Sequence, residues 1–192
     1  TVPGGPAAQA ERVFIETKVL GFSLSNPMRA VLIVLVGIVL PVLVAFAAGI
    51  PTNRVGALLM SIVVFQALAV PAGLLIHIPV PALICILLLV AFALIEAIFL
   101  VCDLFAESWS RLGLWMTKME SRIAAHPRLY KYGDLMLIAL IWIPGIGLYG
   151  ASLLAWIFRW NTLRGVFFLL AGWMIASVTV LLVTLGAFTV WF

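Results

Sequence analysis

A chain of 192 residues that is 66% apolar and 9% charged, with a mean hydropathy of +1.29, is excluded from the ordinary soluble domains. A soluble core could absorb one long apolar run, not the succession found here. The net charge of +4 speaks for membrane topology rather than nucleic-acid binding, because the Lys and Arg residues sit in short loops beside apolar segments.

In chain order, residues 1–10 are rich in turn formers and predict a loosely attached segment, and 11–20 mix charges with Val13, Phe14 and Ile15 at headgroup level. The first 26 residues are too polar for the apolar core of a cleavable signal, so none is expected. Ser25-Asn26-Pro27 reads as a helix start. The stretch 30–50 is almost wholly apolar, but Pro41 divides it into halves too short to cross alone. It is either a kinked span or a hairpin. Residues 55–76, with Gln66 and Pro71 inside, predict a full span. His77-Ile78-Pro79-Val80-Pro81 predicts a turn, and 82–102 a second span. Over 104–125, Phe105, Trp109, Leu112, Met116, Met119 and Ile123 recur at helical steps opposite Glu107, Arg111, Lys118, Glu120 and Arg122, the pattern of an interfacial amphipathic helix. Residues 135–158 are broken by Pro144-Gly145-Ile146-Gly147, which favours a hairpin over a continuous helix. The segment 165–192 predicts a last span, with Gly172 and Ala176 allowing close helix approach.

The basic residues choose between the readings. Arg12, Lys18 and Arg29 precede the first broken stretch and Arg54 follows it; Arg111, Lys118, Arg122, Arg128 and Lys131 precede the second, and Arg159 and Arg164 follow. If both broken stretches are hairpins that enter and leave on one side, all of these fall on one face, as the cytoplasmic excess of Lys and Arg demands. The expectation is therefore an all-α polytopic membrane protein with two re-entrant hairpins, three full spans and one interfacial helix. Its parts are an N-terminal segment (1–29), a first membrane half (30–102), an amphipathic linker (103–133) and a second membrane half (134–192).

Lys131-Tyr132-Gly133-Asp134-Leu135, Ile143-Pro144-Gly145-Ile146-Gly147, Tyr149-Gly150-Ala151, Ala155-Trp156 and Gly172 resemble the small multi-drug export protein family, over about 130–186. A fainter likeness covers 37–71, at Gly37-Ile38-Val39-Leu40-Pro41 and Gly49-Ile50-Pro51. The chain departs from the family at Ile146 (for Thr), at Trp142 (for Pro) and at Leu35-Val36, near the place of an acidic residue and an arginine. Distantly, the resemblance extends to DedA-type proteins, and it implies two re-entrant hairpins and export or lipid-carrier translocation.

The predicted pathway residues are Pro41, Pro144, Gly145, Gly147, Gly150 and Gly172, around backbone that lipid cannot satisfy. Glu96, the carboxylate well inside a span, predicts a coupling role; its alternatives are a structural hydrogen bond to Gln66 or snorkelling. Asp134, beside Lys131 and Arg159 at the mouth of the second hairpin, predicts gating. Cys85 and Cys102 lie about 25 Å apart along one helix and read as unpaired membrane hydrophobes. His77 and His126 lack ligand partners at metal-binding spacing, and no nucleophile–base set or phosphate loop occurs, so neither a metal, a cofactor nor enzymatic activity is expected. The expected setting is a prokaryotic plasma membrane with the basic loops cytoplasmic. Its expected partners are the lipid bilayer, an anionic lipid or small amphiphilic cargo, and further copies or other subunits, but no nucleic acid. A small secondary transporter or lipid-carrier translocase leads; a non-transporting subunit of a larger membrane complex is the alternative.

Overall fold

The computed structural model describes residues 18–19, 22–23, 26–108, 135–143, 147–158 and 163–191. Beyond a two-residue antiparallel ladder that pairs Lys18 with Ser23 and Val19 with Phe22, the described chain is helical. By length and composition alone, four helical segments could cross a membrane: Asn26–Ala47, Thr52–Leu75, Val80–Ala106 and Leu163–Gly186.

Helix α1, Asn26–Ala47, starts where Asn26-Pro27 predicts. It does not reverse at Pro41, which corrects the first expected hairpin. A proline lacks the amide that would bond four residues back, and its ring crowds that carbonyl. Here a π turn over Leu35–Val39, in which the Leu40 amide reaches back to the Leu35 carbonyl, opens the helix just before the proline and absorbs the conflict. Gly37 lies in this turn, where an added Cβ would stand 2.7 Å from Ala93 Cβ. The helix ends on Gly49, at φ +70°, with the Ile50 amide bonded to the Ala45 carbonyl at 2.9 Å: a Schellman close that buries Ile50.

The next segment carries the second correction. Thr52–Phe65 (α2) and Ala69–Leu75 (α3) do not form the single span expected over 55–76; they fold back on each other. Arg54 Nη1 donates to the Ile76 carbonyl at 3.3 Å, although a straight helix would separate these residues by about 33 Å. A Cβ at Gly73 would lie 3.3 Å from Leu58 Cδ1. The reversal is made at Gln66, whose φ of 55° and ψ of −127° are foreign to helices, followed by a 3₁₀ turn over Gln66–Leu68. Pro71 contributes by removing the amide that would serve the Ala67 carbonyl. These contacts outweigh the length criterion. His77 then repeats the close of Gly49, at φ +61°, with the Ile78 amide on the Gly73 carbonyl at 3.1 Å.

Helix α4, Val80–Ser108, runs antiparallel to α1: Arg29 meets Asp103 and Gly37 meets Ala93. It passes Asp103 without a break, whereas a new interfacial helix was expected from 104; the rest of that element lies outside the described residues. The chain resumes with α5 at 135–141, α6 at Gly147–Ile157 and α7 at Leu163–Trp191. Helix α7 leaves from the Asp103 end and returns along α4, so that Ser177 and Leu181 stand beside Leu83 and Leu87. Leu58, Ile62, Leu83, Ile86, Phe99 and Trp173 form the fully buried heart of the packing.

An order repeats. An interrupted segment precedes a 29-residue helix in both halves: α2/α3 before α4, and α5/α6 before α7. The first interrupted segment has its ends beside His77; the second returns to the opposite end, at Asp103. Arg54 therefore lies at the far end from Arg29, which corrects the expectation that all basic residues share one face.

Candidate functional site

The two interruptions meet. Gln66 Oε1 accepts the Leu148 amide at 2.9 Å, and the Tyr149 hydroxyl donates to the Val63 carbonyl. The first contact gives an amide in the first turn of α6 a side-chain acceptor, and the second serves a carbonyl near the end of α2. Each tip thus caps the other. Gly147 makes the approach possible: its φ is +50°, and a Cβ there would lie 2.1 Å from Gln66 Oε1. Leu148 and Ser152, one turn apart, are fully buried.

A second constellation lies at the other end of α6. Arg29, only 2% exposed, donates through Nη1 to Asp103 Oδ2 at 2.7 Å, and its Nη2 stands 3.7 Å from Glu96 Oε2. Trp156 Nε1 donates to Asp103 Oδ1 at 2.7 Å. Three helices, α1, α4 and α6, are tied at one carboxylate. A buried arginine is tolerated only with such charged, hydrogen-bonded company.

Of the residues predicted from sequence, Gly147 sits in the contact between the tips and Gly150 follows it on α6. Gly172 faces the other arm: a Cβ there would meet the Ile138 backbone at 2.9 Å. Pro41 is buried in α1, on a continuous helix. Pro144, Gly145, Asp134 and Arg159 lie outside the described residues. Glu96 is buried beside Arg29; Gln66, one of the structural partners weighed as an alternative to a coupling role, is committed to Leu148. Sequence reasoning missed Arg29, Gln66, Tyr149 and Trp156 as site residues. The available signal was the spacing of Glu96 and Asp103, two turns apart on one face of α4, which asks for a cation from a neighbouring helix.

Among the described residues no group of three or more His, Cys, Asp or Glu could hold a metal ion. A shallow apolar groove, lined by Val70, Leu83, Leu87, Met174, Ser177 and Leu181 among others, lies between α3, α4 and α7. No family model, curated protein or solved structure matches the chain.

Proposed function

We propose that this chain is a small membrane transport protein, a secondary transporter or lipid-carrier translocase, in which α1, α4 and α7 cross the bilayer. In this reading α2/α3 and α5/α6 are re-entrant hairpins from opposite sides, and the pathway runs between their tips. The observation that carries the reading is the mutual capping of two helix interruptions, Gln66 to Leu148 and Tyr149 to Val63. Non-helical backbone at membrane depth survives only when buried in protein or facing a wet cavity. Paired discontinuous segments in oppositely oriented repeats are how many secondary transporters build a midplane site. The resemblance over 130–186 to the small multi-drug export family points the same way. The closed contact is the gate, and its few hydrogen bonds are weak enough to be exchanged for bonds to cargo.

The test is a reversible lock. Val63→Cys with Tyr149→Cys, on a background with Cys85 and Cys102 replaced by Ala, puts two thiols across the tips about one tyrosine side chain apart, for a short bis-methanethiosulfonate to bridge. In proteoliposomes, movement of a fluorescent phospholipid or of ethidium should stop on cross-linking and return on reduction. Movement of neither probe by the wild-type chain, with co-purification of unrelated membrane subunits, would favour the accessory-subunit reading instead.

A further inference from the structure

Two carboxylates share Arg29 unequally. Asp103 has both oxygens engaged, by Arg29 and by Trp156, each at 2.7 Å. Glu96, two turns away on the same helix and only 5% exposed, has its Arg29 contact at 3.7 Å, too long for a hydrogen bond. It makes no shorter polar contact among the described residues. An ionised carboxylate buried without hydrogen bonds is costly, and taking up a proton relieves that cost.

We propose that Glu96 is a proton-binding site that is protonated while Arg29 rests on Asp103, and that release of the proton to water draws Arg29 from Asp103 towards Glu96. The charged and titratable groups on the packed elements are few. Helix α1 brings Arg29, and α4 itself brings Cys85, Cys102, Asp103 and Glu107, the last with its side chain outside the described ones. The α2/α3 hairpin has Arg54 at its far end, on the Ile76 carbonyl. Helix α6 has Tyr149, on Val63, and α7 has Arg164, over the Phe168 ring. Arg29 is thus the described cation within reach of Glu96. Helix α6 extends the consequence, which rests on the transport reading. Trp156 is fixed to Asp103 at one end of this helix, and Leu148 and Tyr149 hold the opposing tip at the other. A move of Arg29 disturbs the first attachment and, through an 11-residue rigid helix, the second.

The experiment is infrared spectroscopy of the full chain in bilayers, with the glutamate carboxyls carbon-13 labelled so that their bands separate from those of aspartate. A protonated glutamic acid band is expected at a pH where the other glutamates have ionised, and it should vanish as pH rises further. It should be absent from Glu96→Gln. In Asp103→Asn the arginine is released to Glu96, and the band should vanish at lower pH, each unit of that move lowering the protonated-to-ionised ratio about tenfold. Thiol labelling of Ala67→Cys, beside the tip, should accelerate through the same pH interval and be flat in Glu96→Gln. No isotope-shifted acid band above the pH at which the other glutamates ionise, or one that persists there in Glu96→Gln, overturns the proton site. A band that titrates while Ala67→Cys labelling stays constant overturns its link to the tips. Loss of cargo movement in the locked variant is independent of both.

Discussion

The side-chain carbonyl of Gln66 stands 2.9 Å from the amide of Leu148, 82 positions further along the chain, and accepts its hydrogen bond. Removing it takes that acceptor from a buried donor. Gln66→Ala should lower stability by about 1–3 kcal/mol, the cost of an orphaned amide, measured by thermal melting in detergent. Gln66→Gly loses the same bond but relieves the backbone at φ 55°, and should be about 1 kcal/mol more stable than Gln66→Ala. Equal stability of the two variants would show that the reversal carries no strain.

Gly147 and Gln66 should be strongly coupled. Gly147→Ala puts a methyl on the Gln66 carboxamide and forces an L side chain into positive φ, for a loss of about 2–4 kcal/mol. Against Gln66→Ala the steric share disappears and the conformational share stays. A double-mutant cycle should therefore return an interaction energy of about 1–2 kcal/mol; simple additivity would mean that the tips are further apart than described.

His77 holds a backbone conformation suited to glycine at an exposed helix end, at φ +61°. His77→Gly should raise stability by about 1 kcal/mol, seen as a higher melting temperature. A decrease would reveal a side-chain contact that outweighs the backbone.

The fold-back of α2 on α3 makes a topological prediction. With Cys85 and Cys102 replaced by Ala, Asn53→Cys and His77→Cys should react with an impermeant thiol reagent from one side of the membrane. Met28→Cys and Leu163→Cys should react from the other. Reaction of positions 53 and 77 from opposite sides would make Thr52–Leu75 a simple crossing.

Arg29→Met should cost about 3–5 kcal/mol, because Glu96 and Asp103 are left buried beside an apolar side chain. Arg29→Lys should recover only part, since an ammonium does not reproduce the planar fork that bonds Asp103 while standing beside Glu96. Full recovery by Lys would reduce the cluster to charge alone.

Helical membrane character was legible from the apolar runs, and so was the interruption before Gly147, since Pro-Gly-x-Gly is written into the chain. The first half misled for a physical reason. Proline is the visible breaker, yet Pro41 is absorbed by a π turn, while the actual reversal is made by Gln66 in Gln66-Ala67-Leu68-Ala69, a run without glycine. What secures the bend there is a partner 82 residues away, which no local pattern announces. Arg29 escaped notice likewise: it stands at the edge of an apolar run, where a headgroup anchor and a buried ion-pair partner look alike.

The lateness of that partner bears on biosynthesis. Residues 52–75 leave the ribosome long before Leu148 and Tyr149 exist, and at 24 residues and a hydropathy of 2.2 they are fit to be threaded straight across. On the re-entrant reading proposed above, a nascent chain halted at Ser108 holds a hairpin with Val63 and Gln66 uncapped, in lipid that offers them nothing. Insertion of this segment is thus provisional until the second half arrives, and the order of synthesis sets a window in which the chain can be laid into the membrane the wrong way.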